Sequence, residues 1–254
     1  MRLINWEALE EMQKMEDGSV DLILTSPPYD NLRTYNDTLN WNFGIFKDIA
    51  KECNRVLKKW WVIVWVVWDA TIKWTETWTS FRQALYFKDE CWLNLHDTMI
   101  YKKHNFSNPS NNRYHQIFEY MFVFSKWKPK TFNPIKDRKN IEAGKIWSWG
   151  KNTITQKDWS KKERPRKINT DYWMRYNIWR FITSNFKLHP AIFPEKLAED
   201  HILSWSNEWD MVLDIFMWSW TTGKMALKNN RDFIGVELEE NYFNIAKERI
   251  LWKQ

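Results

Sequence analysis

Residues Val212–Ile250 read VLDIFMWSWTTGKMALKNNRDFIGVELEENYFNIAKERI. The hydrophobic pattern predicts strands over Met211–Ile215 and Phe233–Val236, each followed by a helix, over Thr221–Lys228 and Glu239–Leu251. Strands that alternate with helices are typical of a largely parallel sheet that helices cover on both faces. In such sheets, ligands bind outside the carboxyl ends of the strands. The stretch therefore predicts an α/β fold with a ligand site around its first loop.

The same alternation of strands and helices continues toward the N-terminus. Val20–Thr25 (VDLILT) is an apolar run that ends at Ser26-Pro27-Pro28, which indicates a buried strand that stops at a loop. A helix is predicted over Phe43–Lys58, and a second buried strand over Trp61–Val67. The pattern further predicts a helix around Ser80–Lys88, strands over Thr98–Tyr101 and Ile117–Phe124, and a helix over Pro194–Leu203.

Composition excludes several classes of protein. The 254 residues include two cysteines, Cys53 and Cys91, which exclude a disulfide scaffold and a four-thiolate zinc site. The five histidines lack the spacing of metal ligands, so we expect no metal site, and we interpret both cysteines as core residues. The N-terminus lacks the apolar core of a signal peptide, and the longest apolar run, Trp60–Trp68, is too short to span a bilayer. We expect a soluble, cytoplasmic protein.

Positive charge is concentrated in one central segment. Residues 126–180 hold 16 Lys and Arg against 5 Asp and Glu, whereas the rest of the chain holds 22 against 27. A basic block with interleaved aromatic and small polar residues suits contact with a phosphate backbone. A solvated, Lys-rich insertion would have the same composition. Charge alone leaves these two interpretations open.

Two carboxylates follow the strands of the quoted stretch. Asp214 ends the first strand, and Thr221 and Thr222 open the helix after the loop. Glu237 ends the second strand about 20 residues later, where a carboxylate can accept hydrogen bonds from both hydroxyls of a ribose. The spacing therefore predicts a site for a cofactor that carries a nucleoside.

This loop resembles that of the amino-methylating DNA methyltransferases, which use S-adenosylmethionine and carry Asp-x-Phe-x-Gly-Ser-Gly-Thr-Thr. The chain departs from the family at both glycines, where it has Trp218 and Trp220. The resemblance implies a Rossmann-like methyltransferase fold. Two further segments resemble the family: HPAIFPEKL, which contains Phe193 and Pro194, and an N-terminal segment that contains Asn5. The implied cofactor site consists of Asn5, Thr25, Phe193, Pro194, Asp214, Phe216, Trp218, Ser219, Trp220, Thr221, Thr222 and Glu237.

Leu24–Tyr29 (LTSPPY) follows a predicted strand and resembles the catalytic motif of the same family. An exocyclic amine of a base is a poor nucleophile because its lone pair is delocalised into the ring. Acceptors at Ser26 Oγ and the Pro27 carbonyl can hold that amine in its more nucleophilic form, and Pro28 keeps the loop rigid. Tyr29 can stack on a base extruded from the duplex. The resemblance therefore makes these four residues the catalytic ones.

The order of the motifs resembles the permuted β group of the family. The catalytic motif comes first, the basic segment lies between, and the cofactor motif comes last. We expect a catalytic and cofactor-binding domain over residues 1–125 and 181–254, and an inserted basic target-recognition region over 126–180. Double-stranded DNA is the implied partner. The expected DNA contacts are Lys161, Lys162, Arg164, Arg166 and Lys167.

The target base remains open between two amines. Serine at position 26 is usual in family members that methylate cytosine N4, whereas aspartate there is usual for adenine N6. The motif therefore favours cytosine N4, with adenine N6 as the alternative. RNA methylation and a DNA-binding protein without catalysis are further alternatives, the latter if Trp218 and Trp220 are native. A separate restriction endonuclease as partner, and the oligomeric state, are also left open.

Glycine and tryptophan occur in unusual numbers. The chain has 6 glycines and 20 tryptophans, although glycine averages about 7% of residues in proteins. Fourteen tryptophans lie at predicted turns or cofactor loops, where glycine is the usual residue. Our hypothesis is that glycine is the native residue at these positions. A UGA codon, which some bacteria read as glycine, would explain the substitution. The alternative is a Trp-rich natural or engineered protein. The fourteen positions are 6, 60, 61, 68, 74, 78, 92, 127, 147, 159, 173, 209, 218 and 220.

Overall fold

The computed structural model describes residues 1–28, 41–106, 109, 111–145, 153–163, 169–181, 194–218 and 220–251. It divides into two compact units, the first made of Met1–Asn133 with Asn177–Gln254 and the second of Pro134–Tyr176. This division lies inside the basic segment 126–180, because residues at both ends of that segment belong to the first unit. The Asn133 backbone amide donates to the Ser204 carbonyl at 2.9 Å, and residues 178–180 form a strand of the main sheet.

Fourteen strands occur in the described residues. In chain order they are β1 (Arg2–Asn5), β2 (Val20–Thr25), β3 (Leu57–Val67), β4 (Thr71–Ile72), β5 (Thr75–Glu76), β6 (Asn94–Lys102), β7 (Phe118–Ser125), β8 (Lys136–Lys139), β9 (Thr153–Thr155), β10 (Lys161–Glu163), β11 (Tyr172–Met174), β12 (Ile178–Arg180), β13 (Met211–Asp214) and β14 (Asp232–Glu237).

The main sheet has eight strands in the order β1-β14-β13-β2-β3-β7-β6-β12. Five of its seven neighbouring pairs are parallel, and only the two that involve β7 are antiparallel. All six residues of β2 are buried, as expected for a central parallel strand with helices on either face. The mixed, mostly parallel sheet predicted from the sequence is confirmed.

Within the described ranges, six helices cover this sheet: α1 (Ala8–Gln13), α2 (Phe43–Val56), α3 (Thr79–Asp89), α4 (Glu195–Trp205), α5 (Thr221–Lys228) and α6 (Glu240–Leu251). Helices α1, α2 and α3 form one packed group, and α4, α5 and α6 form another. Helix α2 begins at an Asn42 cap, whose Oδ1 accepts from the backbone amides of Gly44 and Ile45. It ends at Val56, two residues before the predicted end, because Leu57 is already extended and opens β3.

An aromatic cluster forms the centre of the core between α2, α3 and the sheet. The rings of Phe46, Trp65 and Phe87 meet edge to face, with centroids 5.2–5.8 Å apart. The indole of Trp65 is fully buried and donates to Gln83 Oε1 at 2.8 Å. Cys53 and Cys91 are buried free thiols, which confirms their prediction as core residues, and burial raises the pKa of Cys91 to about 11.

The second unit consists of small antiparallel pairs. Strand β8 pairs with β11, and β9 pairs with β10. Arg138 joins the first pair through a donated hydrogen bond to the Met174 carbonyl at 2.6 Å. Throughout the part of the chain that the structure describes, no helix is both long and apolar enough to cross a membrane.

Candidate active site

The carboxyl ends of three neighbouring strands bring the two sequence motifs together. Thr25 ends β2, Asp214 ends β13 and Glu237 ends β14, and all three residues are buried. Thr25 Oγ1 donates a hydrogen bond to Asp214 Oδ1 at 2.7 Å. Because β2 and β13 are adjacent parallel strands, residues 189 positions apart in the chain share one edge of the sheet.

Asp214 is a buried acid that organises the loop after β13. Its carboxylate accepts from the Thr25 hydroxyl, the Thr222 hydroxyl and the Phe216 backbone amide, the last at 3.2 Å. Burial raises the pKa of Asp214 to about 6, and these three donors limit the rise. Asp214 therefore ties β13 to the start of α5 as well as to β2.

Glu237 lies at the entrance to a cleft and is also strongly buried. Burial raises its pKa to about 7, whereas hydrogen bonds from the backbone amides of Glu239 and Trp218 oppose that rise. Asn5 holds the end of β14 from the neighbouring strand, since its side-chain amide donates to the carbonyls of Glu237 at 2.8 Å and Leu238 at 3.0 Å. Asn5 thus positions the backbone that carries the Glu237 carboxylate.

The cleft beside Glu237 has a volume of about 470 Å³, counting the space open to solvent. Its walls come from the β1–α1 connection, from the loop after β13, from the end of β14 and from the first turn of α6, with Trp6, Phe216, Trp218 and Tyr242 as the aromatic members. Three glutamates, Glu7, Glu237 and Glu239, also line the cleft, and Glu237 is the buried one. Aromatic walls with a few polar groups are typical of a site for a small ligand such as a nucleoside. Phe216 and Glu237 were predicted here from the sequence, whereas Tyr242 was not, because its place depends on how α6 begins.

Trp218 links the loop after β13 to the loop after β2. Its indole Nε1 donates to the Ser26 carbonyl at 3.2 Å, and its ring lies 6.3 Å from that of Tyr242. The indole therefore extends from the cleft toward the residue that was predicted to hold the target amine. Trp220 is buried with only 3% of its surface exposed and precedes α5.

The other predicted site residues fall as follows. Pro27 and Pro28 are buried after β2, and Ser26 is half-buried beside them. Thr221 and Thr222 are buried in the first turn of α5, and Pro194 caps α4, where its carbonyl accepts from the Leu197 amide at 3.0 Å. Lys161 is exposed in β10, and Lys162 follows it in that strand. Tyr29, Arg164, Arg166, Lys167, Phe193 and Ser219 lie outside the described residues.

The cleft suits the nucleoside of S-adenosylmethionine, and Trp218 lines it at a position where the family motif has glycine. Glu237 and the aromatic cleft supply an acceptor and stacking surfaces for a nucleoside. The Trp218 side chain lines the cleft, and its Nε1 donates to the Ser26 carbonyl. In the described residues, no three His, Cys, Asp or Glu side chains lie close enough together to hold a metal ion.

The chain is similar to known DNA methyltransferases over nearly its whole length. A family model described as DNA methylase, for N6 and N4 methyltransferases, matches residues 20–248. The orphan methyltransferase M.BamHII of Bacillus amyloliquefaciens is 52% identical over 251 residues, which cover 94% of this chain and 91% of that protein. The DNA adenine methyltransferase YhdJ of Escherichia coli is 28% identical, with 98% of this chain and 82% of that protein covered.

Among solved structures, the PvuII DNA methyltransferase, described as cytosine-N4-specific, has the same fold, with a TM-score of 0.73. The likeness covers 98% of this chain and 86% of that one at 22% identity. The chain therefore belongs to the DNA methylase family of N6 and N4 methyltransferases, enzymes that take the methyl group from S-adenosylmethionine.

Proposed function

We propose that the chain methylates the N4 amine of cytosine in double-stranded DNA. The observation that carries this proposal is the position of Ser26. Ser26 directly follows Thr25, whose hydroxyl donates to Asp214 at the end of β13, so this bond holds Ser26 next to that strand. Serine at this position of the family motif is usual for N4-cytosine enzymes. A serine hydroxyl can accept from the amine or donate to a ring nitrogen, which suits the amino edge of cytosine.

In the proposed mechanism the protein supplies position rather than a proton acceptor of high basicity. The Ser26 hydroxyl and the Pro27 carbonyl accept from the two N–H bonds of the amine and turn its lone pair toward the methyl donor. Pro27 and Pro28 are buried, so their carbonyl directions are fixed before the base arrives. Tyr29 stacks on the extruded base. Methyl transfer then needs no covalent intermediate with the protein.

On the cofactor side, Glu237 would accept from the ribose hydroxyls of S-adenosylmethionine, and Asp214 fixes the loop after β13 that would hold the rest of the cofactor. Both acids are buried at adjacent strand ends, which supports these roles. Asn5, Thr25, Pro194, Thr221 and Thr222 complete the site by holding strand and helix ends. Phe193 and Ser219 keep the roles implied by the family motif.

The experiment is methyl transfer from radiolabelled S-adenosylmethionine to unmethylated genomic DNA, followed by nucleoside mass spectrometry. The chain is assayed with tryptophan and with glycine at positions 218 and 220, and structured RNA serves as the control acceptor. We expect N4-methylcytosine from DNA, and none after Ser26→Ala. N6-methyladenine as the product would show that the adenine alternative is correct.

A second candidate function is DNA binding without catalysis. The observation that favours it is the Trp218 indole between the cleft and Ser26. If tryptophan is the native residue there, the chain binds DNA through its basic second unit and transfers no methyl group. Native protein that retains DNA but fails to bind S-adenosylmethionine would support this function against the first.

A further inference from the structure

Seven tryptophans adopt a backbone conformation that favours glycine. Nine described residues other than glycine have positive φ, and these nine are Lys73, Asn230 and seven tryptophans. Positive φ is uncommon for any residue with a Cβ and is an outlier for a bulky one, whereas glycine adopts it freely. The seven are Trp74 (73°), Trp78 (54°), Trp92 (56°), Trp159 (64°), Trp209 (69°), Trp218 (22°) and Trp220 (56°).

Two of these tryptophans occupy the glycine position of a hairpin turn. Lys73 and Trp74 form the two-residue loop between β4 and β5, and both have positive φ, as a type I′ turn requires. Trp159 lies near the end of the loop between β9 and β10, and its amide donates to the Gln156 carbonyl at 3.0 Å. The left-handed residue at the end of such a turn is usually glycine.

Three more of the seven tryptophans lie at helix ends. Trp78 and Trp220 precede α3 and α5 as left-handed caps, and neither side chain makes a capping hydrogen bond. Trp92 lies three residues after the last residue of α3, in the short connection to β6, and also has left-handed φ. All three positions thus have a backbone conformation that glycine adopts freely.

Side-chain burial separates five of the seven from the other tryptophans, whereas Trp218 is half-buried and Trp220 is buried. Trp74, Trp92 and Trp159 expose 81%, 83% and 85% of their surface. The four described tryptophans outside the predicted set of fourteen have no positive φ, and three of them, Trp65, Trp179 and Trp205, are at most 6% exposed. The fourth, Trp41, packs edge to face on Phe216 at 5.3 Å. These four behave as core tryptophans, whereas most of the seven make little use of their rings.

We propose that glycine is the native residue at these seven positions, encoded by UGA codons that the source organism reads as glycine. The second part of the proposal is that glycine at 218 and 220 opens the methionine end of the cofactor cleft. The second part of this proposal rests on the proposed methyltransferase function, and the first does not. Removal of the Trp218 indole takes away its bond to the Ser26 carbonyl and one aromatic wall of the cleft. The other predicted glycine positions that the structure describes have ordinary φ, so their backbone conformation suits tryptophan as well as glycine.

The decoding is tested on protein isolated from the source organism, by peptide mass spectrometry across residues 74, 92, 159 and 209. We expect glycine at these positions and tryptophan at positions 65, 179 and 205. In the gene, we expect UGA at the first group and UGG at the second. Tryptophan in the native peptides overturns the proposal, whatever the activity of the protein.

A stability measurement tests the backbone argument independently. Glycine in place of Trp74, Trp92, Trp159 and Trp209 is expected to raise the Tm by about 2–4 °C or more, because left-handed strain is relieved. The matched control places glycine at the buried Trp65, Trp179 and Trp205 and is expected to lower the Tm strongly. Equal losses of Tm in both sets overturn the assignment of strain.

Cofactor binding is measured separately by calorimetry with S-adenosylmethionine. The Trp218→Gly, Trp220→Gly chain is expected to bind it saturably, and the chain with both tryptophans to show no measurable binding. If native peptides carry glycine but this variant does not bind S-adenosylmethionine, UGA is read as glycine as proposed, but the proposed methyltransferase function is wrong. If the chain with both tryptophans binds as tightly as the variant, the opening of the cleft by glycine is wrong.

Discussion

The hydroxyl of Thr25 donates to the carboxylate of Asp214 at 2.7 Å, and this bond joins the catalytic strand to the cofactor strand. Both groups are buried, so neither can exchange its partner for water. In the proposed mechanism, methyl transfer depends on how the Ser26 loop and the loop after Asp214 face each other. A single buried hydrogen bond would then fix part of the reaction geometry.

Replacement of Thr25 by valine keeps the shape of the side chain and removes this donor. We expect a loss of about 1–3 kcal/mol in the free energy of unfolding, because Asp214 stays buried with one donor fewer. The pKa of Asp214 should rise further above about 6. Urea unfolding at pH 7 measures the loss. Thr25→Ser retains the hydroxyl and should recover most of the stability; equal losses in both variants would refute the role of the bond.

Burial of Glu237 predicts a fold that becomes less stable as pH rises. Its pKa is about 7 in the folded chain, against an ordinary value of 4.5, so between these values the unfolded chain loses the proton first. The contribution of Glu237 to the free energy of unfolding therefore falls from about pH 4.5 to about pH 7, on the order of 1–3 kcal/mol.

The measurement is urea unfolding of the parent and of Glu237→Gln across that pH range. Glutamine stays neutral, so the difference in stability, parent minus variant, should decrease as pH rises to about 7 and then level off. Asp214 adds a similar decrease that ends near pH 6, but it is common to both proteins and cancels in the difference. A pH-independent difference would mean that Glu237 is not shifted.

Most of the sheet could be predicted from the sequence because its central strands carry strong local patterns. In the apolar run Val20–Thr25 and in the strand–helix units of residues 211–251, the hydrophobic pattern of a few consecutive residues is enough to predict each element. The edge strands were not predicted. Arg2–Asn5 and Ile178–Arg180 are short and partly polar, and each is a strand only because a neighbouring strand offers it hydrogen bonds.

The sequence could predict only those site residues whose place follows from their position at the end of a strand. Asp214 and Glu237 follow from their places at strand ends. The bonds of Asn5 to two backbone carbonyls, and the reach of the Trp218 indole to Ser26, depend on packing between strands far apart in the chain. Tryptophan at turn positions was a compositional anomaly in the sequence, and the left-handed φ values are its structural counterpart.

Asn5 is expected to act on cofactor binding through Glu237. In the chain with glycine at 218 and 220, Asn5→Ala should raise the KM for S-adenosylmethionine several-fold with a smaller change in kcat, because the end of β14 loses two anchoring bonds. Asn133→Ala is the matched control, since Asn133 also donates to two backbone carbonyls, those of Leu203 and Ser206. An equal rise in KM in the control would make the effect one of general stability.

Tyr29 is expected to act on the base rather than on the cofactor. Tyr29→Ala should reduce methyl transfer to DNA, because the extruded base loses a stacking partner, while the affinity for S-adenosylmethionine stays close to that of the parent. Tyr29→Phe keeps the ring and should retain most of the transfer rate. Both variants are measured in the chain with glycine at 218 and 220. If Tyr29→Ala also lost the binding of S-adenosylmethionine, the role of Tyr29 as a stacking partner of the extruded base would be contradicted.

The basic segment is expected to hold DNA through its phosphates. Neutralising Lys161, Lys162, Arg164, Arg166 and Lys167 should weaken binding at low salt and flatten the plot of log affinity against log salt concentration, by about 0.9 for each phosphate that the protein no longer neutralises. The control neutralises five lysines of the first unit, Lys14, Lys47, Lys51, Lys88 and Lys228, and so removes the same charge elsewhere. Fluorescence anisotropy with duplex DNA across a salt series measures both slopes. If the first variant keeps the parent slope, the segment is a solvated insertion; if both variants flatten it equally, only net charge matters.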